Sequence, residues 1–264
     1  MNGEFESMSA LYERVPDFVP KPHAWGSFRN IPDTHFFLCD FQYIISTFPV
    51  IVWSVYILTW HRSDMTEELP EMDSFCESVA RLHQSSVSSN GKYGFHITTY
   101  MGPLPQDNTW CETWEEFFIR GMKRMLMLEE AAQGPSKELE DLAEQMYSKV
   151  IPRLLRPLTV LKSIQPTLIH GDLWYGNCWT DNATEKPMVF DACCFWAHNE
   201  CKWHLGFFSV LLVEFCANWT ADEVGTWRAL RYRFGKSYIN TYQKNFPISA
   251  PEDDHDDRNA LYSM

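Results

Sequence analysis

Apolar residues recur at helical spacing in five segments of the chain. The spacing predicts a helix over 3–14, which the prolines of "VPDFVPKP" end, and a second helix over 71–84 with Asp73 as its N-cap. A third helix is predicted over 112–132. After the "GPS" break, a fourth helix is predicted over 136–150, with its first serine as the cap.

Short runs rich in β-branched and aromatic residues predict strands at 34–41, 166–170 and 187–191. The last two strands flank the polar segment "TDNATEK", which predicts a turn between them. Another helix is indicated around 227–238, and an apolar helix is predicted to begin at "ALYSM" (260–264). No internal repeat or low-complexity segment interrupts this pattern.

Composition narrows the class of protein. Of the 264 residues, 45% are hydrophobic and 15% aromatic, which is enough for a packed core. The net charge of −13 argues against a nucleic-acid backbone as partner, whereas metal ions and backbone amides can still screen nucleotide phosphates. The eight cysteines form no C-x-x-C pair and the acidic "NGEFESM" is no secretory leader, so we expect reduced thiols and a cytoplasmic protein.

The segment "LIHGDLWYGN" (168–177) carries the candidate chemistry. Asp172 and Asn177 follow an apolar run, and Asp191 ends the next predicted strand. Phosphoryl transfer needs a carboxylate that accepts the substrate hydroxyl's proton, together with oxygen ligands for a metal ion. In kinases the base and the amide share one loop, and the metal carboxylate lies on the following turn. Together with His170, these residues indicate a phosphoryl-transfer site; the alternative is an ordinary turn with an Asx cap.

"HGDLWYGN" together with "FDA" resembles the fructosamine/ketosamine kinases, relatives of the aminoglycoside phosphotransferases in the protein-kinase-like superfamily. "GEFESM", "YGFHITTYMGPLPQDNTWCETWEEFF" and "RNALY" extend the resemblance over most of the chain. It implies an α+β, protein-kinase-like two-lobed fold, with a truncated N-lobe over 1–42 and a mainly helical C-lobe over 63–264. It also implies an enzyme that uses ATP and Mg²⁺ to phosphorylate the 3-hydroxyl of ribulosamine or fructosamine, on small amines or on glycated proteins.

The resemblance assigns roles to the candidate residues one by one. Asp172 matches the base that takes the proton of the sugar hydroxyl, and Asn177 and Asp191 match the metal ligands. Glu4 matches the helix carboxylate that pairs with the ATP-positioning lysine.

Further roles follow from the same resemblance. Adenine would rest against the backbone at Cys39, Asp40 and Phe41. Trp174 would pack on the sugar, because an indole face suits the C–H surface of a ring; simple packing within the loop is the alternative. His170 is expected to fix the loop by hydrogen bonding and not to react.

The sequence departs from the family pattern at both ends. The resemblance starts at the helix that carries Glu4, whereas family members have a glycine-rich phosphate loop and a strand lysine before that helix. Lys21 follows the helix and is a poor substitute. The C-terminus falls inside a family segment and is expected to be truncated. We therefore expect weak or absent activity for this polypeptide.

Two apolar stretches, 43–62 and 201–222, interrupt the family pattern. A membrane span, a packed insert or a retained intron would each explain them. Pro49 and the flanking motifs oppose a membrane span in the first stretch, and Glu214 and Asn218 oppose one in the second. Retained introns are favoured, because codons for both stretches can contain splice-donor and branch-point strings.

Other interpretations stay open. Another small-molecule kinase of the aminoglycoside phosphotransferase type is the nearest, although "PLPQDNTW" favours the ketosamine group. A catalytically inactive kinase-like protein, or one from a faulty gene model, is the second, and a protein tethered to a membrane by 43–61 is the third. His198, Cys201 and His204 are of zinc-binding types, as are Cys193 and Cys194, but they lack paired spacing and no zinc site is expected.

Overall fold

The computed structural model of the protein describes residues 1–40, 69–181, 184–201, 227 and 233–263. Seven α-helices lie in these ranges. They are α1 (Asn2–Arg14), α2 (Met72–Ser85), α3 (Trp114–Gln133), α4 (Lys137–Gln145), α5 (Ile151–Val160), α6 (Gly235–Asn245) and α7 (His255–Tyr262). The described residues are therefore predominantly helical beyond the first 40.

Eight short strands form four antiparallel pairs in the same ranges. The strands are β1 (Pro22–Ser27), β2 (His35–Cys39), β3 (Tyr100–Met101), β4 (Leu104–Pro105), β5 (Thr167–Ile169), β6 (Cys178–Asp181), β7 (Lys186–Val189) and β8 (Phe195–Ala197). Each strand pairs with one neighbour: β1 with β2, β3 with β4, β5 with β8, and β6 with β7.

Helix α1 and the β1–β2 hairpin form the N-terminal part. Met8 and Leu11 are fully buried, and Phe5 meets Phe37 of β2 edge to face, with ring centroids 6.1 Å apart. The helix and strand β2 confirm the predicted elements. Strand β1 was missed, because Pro22 and Gly26 hide its pattern; the glycine leaves room for the ring of Phe36 on the paired strand.

The α2 cap differs from the prediction. The carboxylate of Glu71 accepts hydrogen bonds from the backbone N–H groups of Asp73 and Ser74, at 3.0 and 2.7 Å, so Glu71 caps the helix and Asp73 lies in its first turn. Phe75 of this helix stacks on Phe234, which directly precedes α6. The helix predicted around 227–238 is observed only from Gly235 onward, as α6. Residues 228–232 lie outside the described ranges.

Helices α3, α4 and α5 follow one another along the chain, with a break at Gly134 after α3. Thr113 and a glutamate three residues later form a capping box, and Gly134 ends α3 at φ +89. The hydroxyl of Ser136 caps α4 as predicted. The helix does not end at Val150, however, since a π-helical turn over Met146–Val150 leads into α5, whose buried isoleucine and leucines outweigh its two prolines.

The strand that pairs with β7 across the predicted turn is β6, not the strand that contains 166–170. We predicted that 166–170 and 187–191 flank the turn as strands, and strands do occupy both places. Strand β6 pairs with β7 across the turn, however, and β5 pairs with β8. Strands β6 and β8 were missed because their sequences, "CWTD" and "FWA", are too short to show alternation.

A buried polar network joins the end of the chain to the loop after β8. Arg258 of α7 donates to Glu200 at 2.9 Å, and Ser249 donates its N–H to the same carboxylate at 2.7 Å. Burial would raise the pKa of Glu200, but His198, Arg258 and the Ser249 N–H together lower it. Burial lowers the pKa of His198 to about 4, so its ring is neutral and hydrogen-bonds Tyr262 and Ser249. The last helix, α7, starts at His255, five residues before the start predicted at "ALYSM".

The stretches 43–62 and 202–222 lie outside the described residues, and the proposed division at 42 and 63 stays a prediction. Within the described ranges, none of the helices combines the length and apolar character that a bilayer crossing requires.

Replacing Arg258 by Met should lower the free energy of unfolding by about 3–5 kcal/mol, because the buried Glu200 loses its counter-ion. Urea unfolding at neutral pH measures the change. Lys137→Met removes two exposed ion pairs on α4 and should leave the unfolding midpoint almost unchanged. Equal midpoints for the two variants would contradict this account of the network.

Candidate active site

The loop between β5 and β6 carries the residues singled out from the sequence. Strand β5 is buried at every position and leads into His170 and Gly171. Gly171 adopts φ +85, and a Cβ there would overlap the carbonyl oxygen of Cys193. The loop then closes with a 3₁₀ turn over Tyr175–Asn177 before β6 begins. This glycine lets the loop lie directly on the backbone that follows Asp191.

The side chain of His170 links the loop to the residue that follows β7. The ring is fully buried, its Nδ1 accepts the backbone N–H of Asp172 at 3.2 Å, and its Nε2 lies 3.0 Å from the carbonyl oxygen of Phe190. The ring therefore carries its proton on Nε2 and ties the Asp172 loop to the end of β7. His170 is therefore placed to fix the loop by hydrogen bonding, and its role in a catalytic site stays a prediction.

Asp172 and Asn177 are in direct contact. The side-chain Nδ2 of Asn177 donates to Oδ2 of Asp172 at 2.9 Å and to its backbone oxygen at 2.8 Å. Both residues are buried. The five-residue spacing is thus what a 3₁₀ turn needs to fold the amide back onto the carboxylate. Because both bonds use the amide nitrogen, the amide oxygen points away from Asp172.

Asp191 lies next to the loop that carries Asp172 and Asn177. It follows β7 with φ +60, and its neighbour Phe190 donates its N–H to the backbone oxygen of Asn177 at 3.1 Å. The thiol of Cys193 has a pKa well above its usual value, because of burial, then Asp172, Cys194 and Asp191. Both candidate carboxylates therefore lie close enough to one thiol to affect its ionisation.

Glu4 joins this group from helix α1. Burial, followed by the charge of Asp191, raises the pKa of Glu4 to about 8. Burial also raises the pKa of Asp191. The positive charge of the N-terminal amino group lowers the pKa of Glu4, but its effect is smaller than those of burial and Asp191. The structure thus brings Asp172, Asn177, Asp191 and Glu4 into one region.

The residues assigned to adenine are placed less clearly. Cys39 ends β2, and burial, Glu4 and Asp40 raise the pKa of its thiol to about 11. Asp40 donates its backbone N–H to the oxygen of Lys21 at 2.8 Å, and its carboxylate pairs with His23. The backbone N–H of Asp40 therefore already donates a hydrogen bond within the protein and is not available to adenine in this arrangement. Phe41 lies outside the described residues.

Trp174 packs within its own loop. Its ring meets Tyr175 edge to face at 4.8 Å and covers Gly176, where a Cβ would overlap the indole. The ring is half-buried. This arrangement favours the loop-packing alternative, and contact with a sugar stays a prediction.

The donor set fits magnesium. Asn177 and Asp191 supply an amide oxygen and a carboxylate, which are hard ligands of the kind that Mg²⁺ combines with phosphate oxygens and water. Among the described residues, no three His, Cys, Asp or Glu side chains are grouped so as to hold a metal ion by themselves, so the magnesium interpretation relies on phosphate oxygens and water for the remaining ligands. His198 is engaged with Tyr262 and Ser249, and His204 lies outside the described residues.

Several residues of the site were missed from the sequence. Ser7, Thr99 and Gln106 all contact the segment from Asp191 to Cys194, through bonds to Cys194, to Cys193 and to the Cys193 thiol. Each is a single polar residue in an otherwise ordinary segment, and only the "PQDN" run around Gln106 stands out as an unusual polar cluster.

A model of the fructosamine kinase family matches residues 1–220 of the chain. The chain belongs to the fructosamine kinase family. The resemblance identified from its motifs is thereby confirmed, and the family is one of phosphotransferases. The short C-terminal remainder after residue 220 contains α6 and α7.

Similar proteins agree with membership of the fructosamine kinase family. Protein-ribulosamine 3-kinase, chloroplastic, of Arabidopsis thaliana is 28% identical over 98% of this chain and 64% of its own length. Ketosamine-3-kinase of Mus musculus is 35% identical over 41% of this chain and 33% of its own length. The chain thus spans less than two thirds of either relative.

The crystal structure of a Thermobifida fusca protein assigned as a fructosamine-3-kinase superposes with a TM-score of 0.62 at 19% identity, over 99% of this chain and 70% of that one. This likeness shows the fold alone. It confirms a mixed α+β architecture of the fructosamine kinase family, and the family implies the kinase-like fold.

Substituting Gly171 by Ala tests the close approach at the loop. Gly134→Ala is the matched control, since Gly134 has a similar φ of +89 but an added Cβ there meets nothing within 4 Å. We expect a loss of about 1–2 kcal/mol for Gly134→Ala from backbone strain and at least about 3 kcal/mol for Gly171→Ala, which adds the overlap. Equal losses in urea unfolding would show that the loop yields without cost.

The raised pKa of Glu4 predicts a pH dependence. Folding favours the protonated carboxyl, so the free energy of unfolding should fall as pH rises from 4.5 to about 8. In EDTA, Glu4→Gln should reduce this fall by roughly 1–3 kcal/mol, measured by urea unfolding across that range. Glu13→Gln, an exposed change on the same helix, should keep the slope. An unchanged slope in Glu4→Gln would contradict the prediction.

Proposed function

We propose that the protein is an ATP- and Mg²⁺-dependent kinase that phosphorylates the 3-hydroxyl of ketosamine sugars, ribulosamine or fructosamine, on small amines or protein lysines. One observation supports this most directly: the Asn177 amide holds the Asp172 carboxylate in the same region as Asp191. A base, an amide oxygen and a second carboxylate are the groups that phosphoryl transfer to a hydroxyl requires.

Asp172 acts as the base in this proposal. Its Oδ2 accepts from Asn177, and its backbone N–H is held by His170, so both the side chain and the loop are fixed. The carboxylate would then take the proton of the sugar's 3-hydroxyl as that oxygen forms a bond to the γ-phosphorus of ATP. The bond between this phosphorus and the bridging oxygen breaks, and ADP leaves. Fixing the base before the substrate arrives lowers the barrier, because no reorganisation is needed during the reaction.

Asn177 and Asp191 would hold the metal ion. When bound, Mg²⁺ neutralises charge on the phosphate oxygens. Asn177 would have two roles, since its nitrogen orients Asp172 while its oxygen, which points away from Asp172, would bind the metal ion. Glu4, whose carboxylate lies close to Asp191, is suited to pair with a lysine that positions ATP.

The sugar class is supported by the relatives. The plant relative is named for ribulosamine and the mouse relative for ketosamine. The polar segment around Gln106 contacts the turn after Asp191, and it belongs to the part of the sequence that favours the ketosamine group. The seven described cysteines are not joined in disulfides, which favours a reducing compartment such as the cytoplasm.

The test of the base uses a chain extended at its N-terminus by the family's glycine-rich loop and strand lysine and lacking the stretches 43–62 and 201–222. In that chain, Asp172→Asn should lower the rate of ketosamine phosphorylation by at least about 100-fold, because the amide cannot accept the proton. Binding of MgATP, measured as a thermal shift, should be retained. Asp141→Asn, an exposed change on α4, should alter neither property.

Near-normal turnover of Asp172→Asn would rule out its part as the base. If the unaltered chain binds MgATP without phosphorylating fructosyl- or ribulosyl-lysine, the non-catalytic rival is supported instead. Transfer to a different sugar with no reaction on ketosamines would support another small-molecule kinase.

A further inference from the structure

The turn of residues 191–194, which carries Asp191, is held on several sides by polar groups from distant parts of the chain. Cys193 donates its N–H to the backbone oxygen of His170 at 3.0 Å. Cys194 donates its N–H to the hydroxyl of Ser7 on helix α1 at 2.9 Å. The position of the turn is therefore set both by the catalytic loop and by the helix that carries Glu4.

Ser7 does more than a helical serine ordinarily does. Its hydroxyl donates to the backbone oxygen of Gly3 at 2.7 Å, a bond that serines often form inside helices. The same oxygen also accepts the N–H of Cys194, which lies 187 residues further along the chain. The Cys194 thiol returns a second bond, to the backbone oxygen of Ser7 at 3.7 Å. Ser7 is fully buried, so no water replaces these partners without rearrangement.

The first turn of α1 is pressed against a second support of the same turn. A Cβ at Gly3 would lie 2.8 Å from the backbone oxygen of Thr98 and 3.2 Å from Cα of Thr99. Thr99 in turn places its hydroxyl 3.4 Å from the oxygen of Cys193 and 3.5 Å from that of Cys194, and it accepts a bond from Asn108 at 2.8 Å. Helix, turn and the segment before β3 thus form one contiguous buried polar contact.

We propose that Ser7 is a positioning residue: its hydroxyl fixes the turn that carries Asp191 against the helix that carries Glu4, and so sets the separation of these two carboxylates for a metal–nucleotide complex. Thr99 supports the same turn from the other side. The inference rests on the proposed function only in taking Asp191 as a metal ligand. Without the Ser7 hydroxyl, the backbone N–H of Cys194 loses this hydrogen bond. The turn of residues 191–194 would then shift, because a buried N–H is costly to leave without an equivalent acceptor.

The test uses Mn²⁺ with ATP as the probe, because Mn²⁺ binding is read by electron paramagnetic resonance without any sugar substrate. Ser7→Ala should weaken binding of the Mn²⁺–ATP complex about 5- to 20-fold, the range expected when one buried hydrogen bond is lost. Ser9→Ala on the same helix is the control and should bind as the unaltered chain does. Ser7→Thr, which keeps a hydroxyl, should recover most of the affinity.

A second pair of variants approaches the turn from the other side. Thr99→Val removes the hydroxyl and keeps the shape, and Thr99→Ser keeps the hydroxyl; only the former should weaken Mn²⁺–ATP binding. A purely structural part for Ser7 would lower the melting temperature and leave the affinity of the folded protein unchanged, which would overturn the inference. So would an unaltered chain that binds no Mn²⁺–ATP. Normal Mn²⁺–ATP binding without ketosamine phosphorylation would refute the proposed function alone.

Discussion

In the proposed function the carboxylate of Asp172 accepts a proton and must therefore be held in one orientation, and a single amide holds it from five residues away. Asn177 binds both the side chain and the backbone of Asp172. The amide can reach because the 3₁₀ turn brings it back, and the loop can lie flat because Gly171 has no side chain. His170 completes the arrangement from beneath. The rest of the site depends on this loop, because the turn with Asp191 is packed directly against it.

The site is assembled from parts that are distant in sequence, so the hydrophobic core has to hold them in register. Phe117 of α3 stacks on Phe195 of β8, and Val189 of β7 is bonded to the backbone oxygen of Phe18. These contacts place the strand ends on either side of the loop. Polar bonds such as that of Ser7 then adjust positions within a frame that apolar burial has already built.

The sequence indicated the site loop well and its supports poorly. The amide–carboxylate spacing in "HGDLWYGN" is a local feature, so Asp172 and Asn177 could be found without a structure. The bonds of Ser7 and Gln106 are made to residues far along the chain, and no local pattern reveals them. The α2 cap was assigned two residues too late, because glutamate is an uncommon cap and aspartate a frequent one. Strands β6 and β8 were too short for their alternation to be recognised.

The π-helical turn over Met146–Val150 has a consequence for how the chain can change in length. One extra residue is accommodated within a helix that otherwise runs from α4 into α5, so the buried stripe of α5 still faces the core. Deleting one residue within the π turn would restore ordinary winding and leave Leu154 and Leu158 facing the core. A deletion in a regular part of α4 would instead rotate both leucines by roughly 100° about the axis, so this turn is the place where the helix tolerates a change in length.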